Sequence, residues 1–200
     1  MEIPASAFDE IIKELERRPL EVNKYRIKTG EGRSQAFGVV GRRNLAPDYS
    51  RQCWKRPELY KHLLDFAEKY VDISYNAITL NQNYRTLPHY DKHNIGDSYL
   101  VSFGDFLGGD LILHTDNMLE YIDIRHTPMK ADFSKILHST ESFEGNRYSL
   151  VFYQFHLPNK PVNLPSPSVR IENGEYKFYR GKEWIKKNVG ISHNLKKKKE

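Results

Sequence analysis

The sequence has a single cysteine and no long apolar run. Cys53 has no second cysteine to pair with, which excludes an internal disulfide and a cysteine-based zinc site, and we assign it no role. No apolar run approaches the roughly 20 residues that a membrane-spanning helix needs. Residues 1–18 are acidic and amphipathic, whereas a signal peptide is basic and then apolar. These absences lead us to expect an intracellular protein with no membrane partner.

The composition is typical of one folded domain. Of the 200 residues, 38% are apolar and 28% are charged, a balance that favours a globular protein over a disordered one. We expect a single domain over residues 1–190, in which a helical and basic part, 1–72, packs on a β core, 73–180. Residues 191–200 are expected to form a basic, disordered tail. We expect the protein to be a monomer.

Positive charge is concentrated in two segments. The net charge is +5, but residues 17–61 hold twelve Lys and Arg against four acids, and residues 181–200 hold seven Lys against two Glu. The rest of the chain is therefore net acidic. Clustered Lys and Arg are typical of proteins that contact a polyanion such as DNA, although a solvated surface gives the same count. For Lys196–Lys199 we favour a solvated tail or a localisation signal. For residues 17–61 both interpretations stay open.

Apolar spacing predicts helices near both ends of the chain. Residues 5–17 place apolar side chains at helical intervals. A second helix begins at Pro57, a residue favoured in the first turn, and continues to about residue 71. Residues 182–188 predict a last short helix before the tail. We expect these helices to pack outside the core.

Between the helices the pattern is that of short strands. Residues 23–54 are rich in glycine and polar residues, which predicts loops with one or two short strands around Ala36–Val40. From Ile73 onward, alternating runs are separated by turn residues such as Asn173-Gly174. The chain therefore predicts an all-β core of the jelly-roll type with flanking helices.

A short motif predicts a metal site. In His89-x-Asp91 the two side chains point to the same face of an extended strand and can reach one ion. His138 follows much later, with several predicted strands between, which lets the sheet fold back over the first pair. Two histidines and one carboxylate that leave coordination positions open are the ligand set of non-haem Fe(II) oxygenases.

The motif has low specificity when it stands alone, because the chain contains another example. His114-Thr115-Asp116 follows an apolar run, and its last residues are typical of a turn that ends a strand. His62 and His126 have no carboxylate two residues later, and we expect both at the surface or at the edge of the core. The first motif is therefore the stronger candidate.

Arg147-x-Ser149 predicts an anion site close to the metal. The two residues share a strand face and offer a planar guanidinium and a hydroxyl to a carboxylate. This suits the distal carboxylate of 2-oxoglutarate, whose other end reaches the metal. Arg85, shortly before His89, is a further candidate for the near carboxylate, although a position on the strand surface is nearly as well supported.

Four strings of the sequence resemble the TET/JBP family of 2-oxoglutarate- and Fe(II)-dependent dioxygenases, which oxidise methyl groups of DNA pyrimidines. HYDKHN (89–94) and RYSLVFYQ (147–154) resemble the corresponding strings of that family. LNQNYRTLPHYD (80–91) and SFGDFLGGDLIL (102–113) are similar to its small viral, fungal and algal members. The resemblance covers about residues 76–158, roughly half of the chain.

The resemblance implies a fold and a set of site residues. It implies a double-stranded β-helix in which His89, Asp91 and His138 bind iron. Arg147 and Ser149 would then bind 2-oxoglutarate. A second group would meet the substrate: Asn94 matches a position that contacts the flipped methylated base, and His93 accompanies it in shaping the pocket.

The sequence departs from the vertebrate members of that family in two places. Their substrate-facing histidine directly follows the YQ of this strand, where the present chain has Phe155, with His156 one residue later. A one-residue shift turns a strand side chain to the opposite face unless a bulge intervenes. The cysteine-rich extension of those enzymes is also absent. We therefore assign DNA contacts to the basic segment 30–43, with Arg33 and Gln35 as base or phosphate contacts.

The sequence as a whole predicts a dioxygenase that converts 5-methylcytosine in DNA to 5-hydroxymethylcytosine. Fe(II), 2-oxoglutarate and O₂ are the expected cofactor and cosubstrates, with ascorbate as reductant, and the expected location is with DNA inside the cell. One alternative is a thymine hydroxylase of the JBP type, since thymine also carries a 5-methyl group. Others are a hydroxylase of a protein or small molecule, and a DNA-binding module without activity, which the intact ligand set disfavours.

Overall fold

The computed structural model of the protein describes residues 1–22, 29–42, 45–116, 118–157, 159–160, 169–173, 175–180 and 183–186. The predicted tail, with Lys196–Lys199, lies outside these residues. Strands dominate the described part of the chain. They are β1 (Gly30–Arg42), β2 (Leu45–Tyr49), β3 (Ala77–Thr86), β4 (Asn94–Gly108), β5 (Leu111–Thr115), β6 (Met118–Ile122), β7 (Met129–Ala131), β8 (Leu137–Thr140), β9 (Phe143–Phe155), β10 (Val169–Glu172), β11 (Glu175–Arg180) and β12 (Glu183–Lys186).

Helices precede most of the strands, as the apolar spacing predicted. A 3-10 turn, Ala5–Phe8, leads into α1 (Asp9–Arg17). A short α2 (Gln52–Lys55) is followed by α3 (Pro57–Tyr70), whose first residue is the predicted proline. Both predicted N-terminal helices are confirmed. Among the described residues, no helix is both long and apolar enough to cross a membrane.

The largest sheet contains six antiparallel strands in the order β2-β1-β3-β9-β4-β7. The prediction of a loop-rich segment was wrong here, because β1 is a single strand of 13 residues. Gly32 and Gly38 have positive φ angles, and an added Cβ would lie 2.1 and 2.3 Å from backbone oxygens of Asn83 and Asn76. These glycines therefore serve the close approach of neighbouring backbones within a strand and do not mark loops.

The two faces of this sheet pack against different layers. Tyr148, Leu150 and Phe152 of β9 face the helices and join the main hydrophobic core. In that core Phe8 stacks on Phe103 with 4.3 Å between the ring centroids. The residues between them in β9 face the other way, because successive strand side chains alternate. The helical layer thus covers one face and leaves the other free to form a site.

A second sheet of three strands, in the order β6-β5-β8, covers that other face. The two sheets enclose a smaller core of buried apolar side chains: Leu100, Leu111, Leu113, Ile124 and Phe133. β7 and β8 were not predicted, because three or four residues are too few to show an alternating pattern. Two sheets packed face to face are the predicted jelly-roll arrangement, with the helices outside.

The last described strands form a third, separate sheet in the order β10-β11-β12. The predicted hairpin around Asn173 is confirmed, since Glu172 pairs with Glu175 across it. The predicted last helix was wrong: residues 183–186 form β12, which pairs with β11. A four-residue segment gains little as an isolated helix, whereas an adjacent strand edge offers it a full set of backbone partners.

Candidate metal centre and its cavity

A cavity of about 460 Å³ opens between the two facing sheets. It is lined by inward-facing side chains of β1, β3, β4 and β9, by the connection from β3 to β4, and by residues of the small sheet. The residues that the sequence singled out for metal and cosubstrate meet here: His89, Asp91, His138, Arg147 and Ser149.

The two histidines are brought together by backbone pairing. His89 N donates to His138 O at 3.0 Å, and His138 N donates to His89 O at 3.1 Å. Asp91 is placed by its own backbone N–H, which donates to Phe133 O at 3.0 Å. The Nε2 atoms of His89 and His138 then lie 3.5 and 4.0 Å from the two carboxylate oxygens of Asp91. Distant parts of the chain thus supply one compact cluster.

Both imidazoles are held by the nitrogen that faces away from the cluster. His89 Nδ1 lies 2.7 Å from Leu87 O, and His138 Nδ1 lies 2.9 Å from Ile136 O. A carbonyl can only accept, so Nδ1 carries a hydrogen, and in a neutral imidazole the lone pair is then on Nε2. This backbone anchoring is typical of histidines that bind metals.

The cluster fits a divalent metal in its donor chemistry. Among the described residues, the His, Cys, Asp and Glu side chains that come together as a possible metal site are His89, Asp91 and His138, with ligand atoms within 4.8 Å of one another. Burial lowers the pKa of His138, which favours the neutral imidazole that metals require. His114, in the alternative motif, instead contacts Ser139 Oγ through Nε2 at 2.8 Å.

Arg147 is buried yet has no counter-charge beside it. Its side chain is 4% exposed, and no carboxylate of the described residues forms an ion pair with it. Burial lowers the pKa of Arg147 to about 10, and the more distant Asp110 and Asp123 oppose this effect. A buried cation without a partner is unfavourable. This guanidinium is therefore suited to an anion that enters the cavity.

Neighbouring groups fix the direction of the Arg147 side chain. Its Nε donates to Gly109 O at 3.0 Å, and its backbone N–H donates to Asn83 Oδ1 at 2.8 Å. The rings of Phe106 and Phe143 lie 5.5 and 5.7 Å from the guanidinium carbon. These contacts leave the terminal nitrogens of the guanidinium able to bind a carboxylate as a fork.

No protein-family model and no curated protein matches the chain. Solved structures do match it. NgTET1 in complex with 5mC DNA is 14% identical and superposes with a TM-score of 0.54, over 76% of this chain and 69% of that one. A 2OG-Fe(II) oxygenase-family oxidoreductase from Burkholderia pseudomallei is 16% identical over 75% of this chain and 81% of that one, with a TM-score of 0.45. A Pseudomonas putida prolyl-4-hydroxylase is 13% identical over 78% and 89%, with a TM-score of 0.48.

The fold is a double-stranded β-helix. The two facing sheets and the superposition on NgTET1 agree on this point, and the fold predicted from the sequence is confirmed. At such low sequence identity, the superposition supports the fold alone. The chemistry must be argued from the residues of the cavity.

At the end of β9, the strand register decides which residue lines the cavity. β9 continues without a bulge to Phe155, which pairs with Asn94, while the irregularity lies in β4 between Ile95 and Tyr99. Phe155 is an even number of residues from Arg147 and Ser149, so its side chain lies on the same face of β9 and lines the cavity. His156 is not among the lining residues, so the shifted histidine stays outside the cavity.

Asn94 and His93 line the cavity, as does Phe155. Asn94 lines the cavity, and its Nδ2 lies 3.4 Å from an oxygen of Asp91 and 3.0 Å from Ser98 Oγ. It therefore orients the carboxylate of the metal cluster. His93 is exposed, and its ring centroid lies 6.2 Å from that of Phe155.

The structure does not place Arg33 and Gln35 at the cavity. Ser34 and Ala36 line the cavity, so the residues beside them face the helical layer. There Arg33 donates to a backbone carbonyl after α1 at 2.6 Å. Gln35 is buried and lies 3.4 Å from the guanidinium of Arg56. Neither side chain is placed to read a base in the cavity.

Arg85 is also outside the cavity. It is exposed on β3, and it is the next residue, Thr86, that lines the cavity. Thr86 and Thr140 join two strands of different sheets through their hydroxyls, 2.8 Å apart. A contact between Arg85 and the near carboxylate of 2-oxoglutarate has no support from this placement.

Several lining residues were missed by the sequence analysis, although strand alternation could have found them. Asn81 and Thr79 are inward-facing polar residues of β3, and Tyr153 is the inward residue of β9 next before Phe155. Thr79 Oγ1 and Tyr153 Oη lie 3.3 Å apart. A polar side chain at an inward position of a strand is the signal that identifies such residues.

Proposed function

We propose that this protein is an Fe(II)- and 2-oxoglutarate-dependent dioxygenase. The observation that carries the proposal is one cavity that contains both a two-histidine, one-carboxylate cluster and a buried arginine, which has no ion-pair partner among the described residues. His89, Asp91 and His138 would hold the iron. Arg147, with Ser149 beside it, would receive the far carboxylate of 2-oxoglutarate.

Bound Fe(II) and 2-oxoglutarate supply the oxidising power, since O₂ converts 2-oxoglutarate to succinate and CO₂ while its second oxygen atom enters a C–H bond of the substrate. The protein contributes position and shielding. The Nδ1 anchors hold both imidazoles toward the cluster, and the amide of Asn94 orients Asp91. Ascorbate is the proposed reductant that keeps the iron ferrous.

For the substrate we propose 5-methylcytosine in DNA, oxidised to 5-hydroxymethylcytosine. The sequence strings at 89–94 and 147–154 support this, as does the shared fold with NgTET1, which was solved with 5mC DNA. The substrate end of the cavity offers Asn94 for polar contacts and Tyr153 and Phe155 as aromatic walls. A methyl group inside a duplex cannot reach an enclosed metal, so the nucleotide must be flipped out.

A second candidate substrate is the methyl group of thymine. Phe155 offers no hydrogen-bond donor or acceptor to the base edge, and cytosine and thymine differ in the hydrogen bonding of that edge. A cavity with an apolar wall at this point has less means of separating the two bases. In this alternative the substrate is thymine, as for a JBP-type hydroxylase.

A third candidate is a protein or small-molecule hydroxylase, and the charge distribution favours it. Described basic residues from 17–61 are used on the helical side: Arg17 pairs with Glu58 at 2.5 Å and Lys61 with Asp65 at 2.6 Å. Arg56 is 4% exposed and donates to a backbone carbonyl. The described basic residues of this segment therefore do not gather at the cavity mouth. Four other basic residues of the segment lie outside the described part: Lys24, Arg26, Lys28 and Arg43.

One assay separates these candidates. Purified protein with Fe(II), 2-oxoglutarate and ascorbate is incubated with a duplex that contains both 5-methylcytosine and thymine, and the nucleosides are quantified by mass spectrometry. We expect 5-hydroxymethylcytosine with wild type and none with Asp91→Ala. Succinate formed in step with hydroxymethyluracil would favour thymine as substrate. Unchanged DNA would contradict the proposal that DNA is the substrate. If the protein bound neither metal nor 2-oxoglutarate, the proposed dioxygenase activity would be contradicted as well.

A further inference from the structure

Asn81 has a buried amide oxygen without a partner at the end of the cavity that holds Arg147. The side chain is 7% exposed and lines the cavity, and its Oδ1 makes no hydrogen bond. Its Nδ2 lies 3.1 Å from Ser149 Oγ. Buried polar atoms in folded proteins are almost always paired. An unpaired polar atom on a residue that lines a cavity therefore marks a side chain that can contact a ligand.

The strand register places Asn81 beside the proposed anion site. Asn81 lies directly opposite Ser149 in the β3–β9 pair, so the two side chains share the inward face. Asn83, two residues later on β3, accepts a hydrogen bond from the backbone N–H of Arg147 at 2.8 Å. Two asparagines of β3 thus contact the Arg147-x-Ser149 motif: Asn83 contacts Arg147, and Asn81 contacts Ser149.

We propose that Asn81 binds the far carboxylate of 2-oxoglutarate together with Arg147, and that Ser149 orients its amide. A half-turn of the amide exchanges Oδ1 and Nδ2 with little change of shape. Oδ1 then accepts the Ser149 hydroxyl hydrogen, and Nδ2 donates into the cavity. In the opposite orientation an amide oxygen would face the carboxylate, which is repulsive. This inference rests on the proposed function, because it assigns a contact to the same cosubstrate.

The test measures binding and does not depend on turnover. Protein loaded with Mn(II), which does not support the oxidation, is titrated by calorimetry with 2-oxoglutarate and, separately, with 2-oxobutanoate. The second probe has the same 2-oxo acid end but no far carboxylate. We expect Asn81→Ala to weaken 2-oxoglutarate binding about tenfold to a hundredfold, as for a hydrogen bond to a charged group. Binding of 2-oxobutanoate should change less than about twofold.

Asn81→Asp sharpens the test, because it keeps the shape of the side chain and adds a negative charge. If Asn81 touches the carboxylate, this variant loses more 2-oxoglutarate affinity than Asn81→Ala does. If Asn81→Asp binds 2-oxoglutarate as tightly as wild type does, the inference is overturned. Asn159→Ala is the matched control, since Asn159 is an exposed asparagine that does not line the cavity.

The remaining outcomes also decide the question. Equal weakening of both probes by Asn81→Ala would show a structural role and overturn the inference. Should Asn81→Ala not fold, Asn81→Ser gives the same comparison, because serine is too short to reach the carboxylate. Wild type that binds no 2-oxoglutarate would instead contradict the proposed function. Wild type that binds it, with Asn81→Ala equal to wild type, would contradict this inference alone.

Discussion

Gly109 is the residue that makes room for the proposed anion-binding arginine. It has a φ of +80°, and an added Cβ would lie 2.8 Å from both Cδ and Nε of Arg147. Gly109→Ala should therefore displace the guanidinium and weaken 2-oxoglutarate binding by about tenfold or more, the loss expected for one strong charge-assisted hydrogen bond. Calorimetric titration of the Mn(II)-loaded variant measures this.

Gly96 offers a matched control for that substitution. It also has a positive φ, +67°, but an added Cβ would meet no atom within 4 Å. Gly96→Ala should lose about 1 kcal/mol of stability or somewhat more from the backbone conformation alone and leave 2-oxoglutarate binding unchanged. Equal effects of the two substitutions on binding would contradict the positioning role of Gly109.

Cys53 gives a second prediction at the level of a single residue. Its thiol is 2% exposed, accepts a hydrogen bond from Gly38 N at 3.1 Å, and has a pKa raised by burial to about 12. Because only the thiolate reacts and it forms only as the pH rises toward 12, the folded protein should be inert to an aromatic disulfide reagent at pH 8. Addition of guanidinium chloride should release one reactive thiol. Rapid reaction of the native protein would show that this part of the core is open.

At the scale of elements, the strands could be predicted from the sequence, but the side of the sheet on which each side chain lies could not. Alternation marked β3, β4 and β9, and it places Arg147 and Ser149 on one face of β9. His89 and Asp91 instead lie in the connection from β3 to β4, where backbone hydrogen bonds to His138 and Phe133 hold them. Arg33 and Gln35 were assigned to DNA because their segment is basic. The face of β1 on which they lie depends on the register of its pairing with β3, which composition cannot reveal.

The parity of β9 predicts which of two neighbouring residues meets the substrate. Phe155 lines the cavity and His156 does not. Phe155→Ala should therefore raise KM or lower kcat for methylated DNA by about tenfold, the loss expected when an aromatic stacking contact of about 1–3 kcal/mol is removed, without changing 2-oxoglutarate affinity. His156→Ala should leave both within about twofold. Steady-state kinetics with each variant tests this, and the reverse ranking would show that β9 bulges at Phe155.

At the scale of the whole molecule, the charge count of the sequence favours a DNA partner, whereas the positions of the described basic residues do not. Residues 17–61 carry the largest positive excess in the sequence, but their described members lie mostly on the helical side and pair there with acids or carbonyls. Among the described residues, Arg17 and Arg56 thus link α1 to α3. Among the residues that line the cavity, Lys92 is exposed at the rim and free to meet a phosphate.

This placement predicts which lysine a DNA substrate would contact. Lys92→Glu should weaken binding of a methylated duplex and lower the slope of log affinity against log salt by about one, the contribution of one phosphate contact. Lys61→Glu, which reverses a charge of the same type on α3, should change neither. Fluorescence anisotropy at salt concentrations from about 50 to 200 mM resolves such a slope. If Lys61→Glu reduces the slope and Lys92→Glu does not, DNA approaches the helical face, and the cavity would have to admit a substrate of another kind.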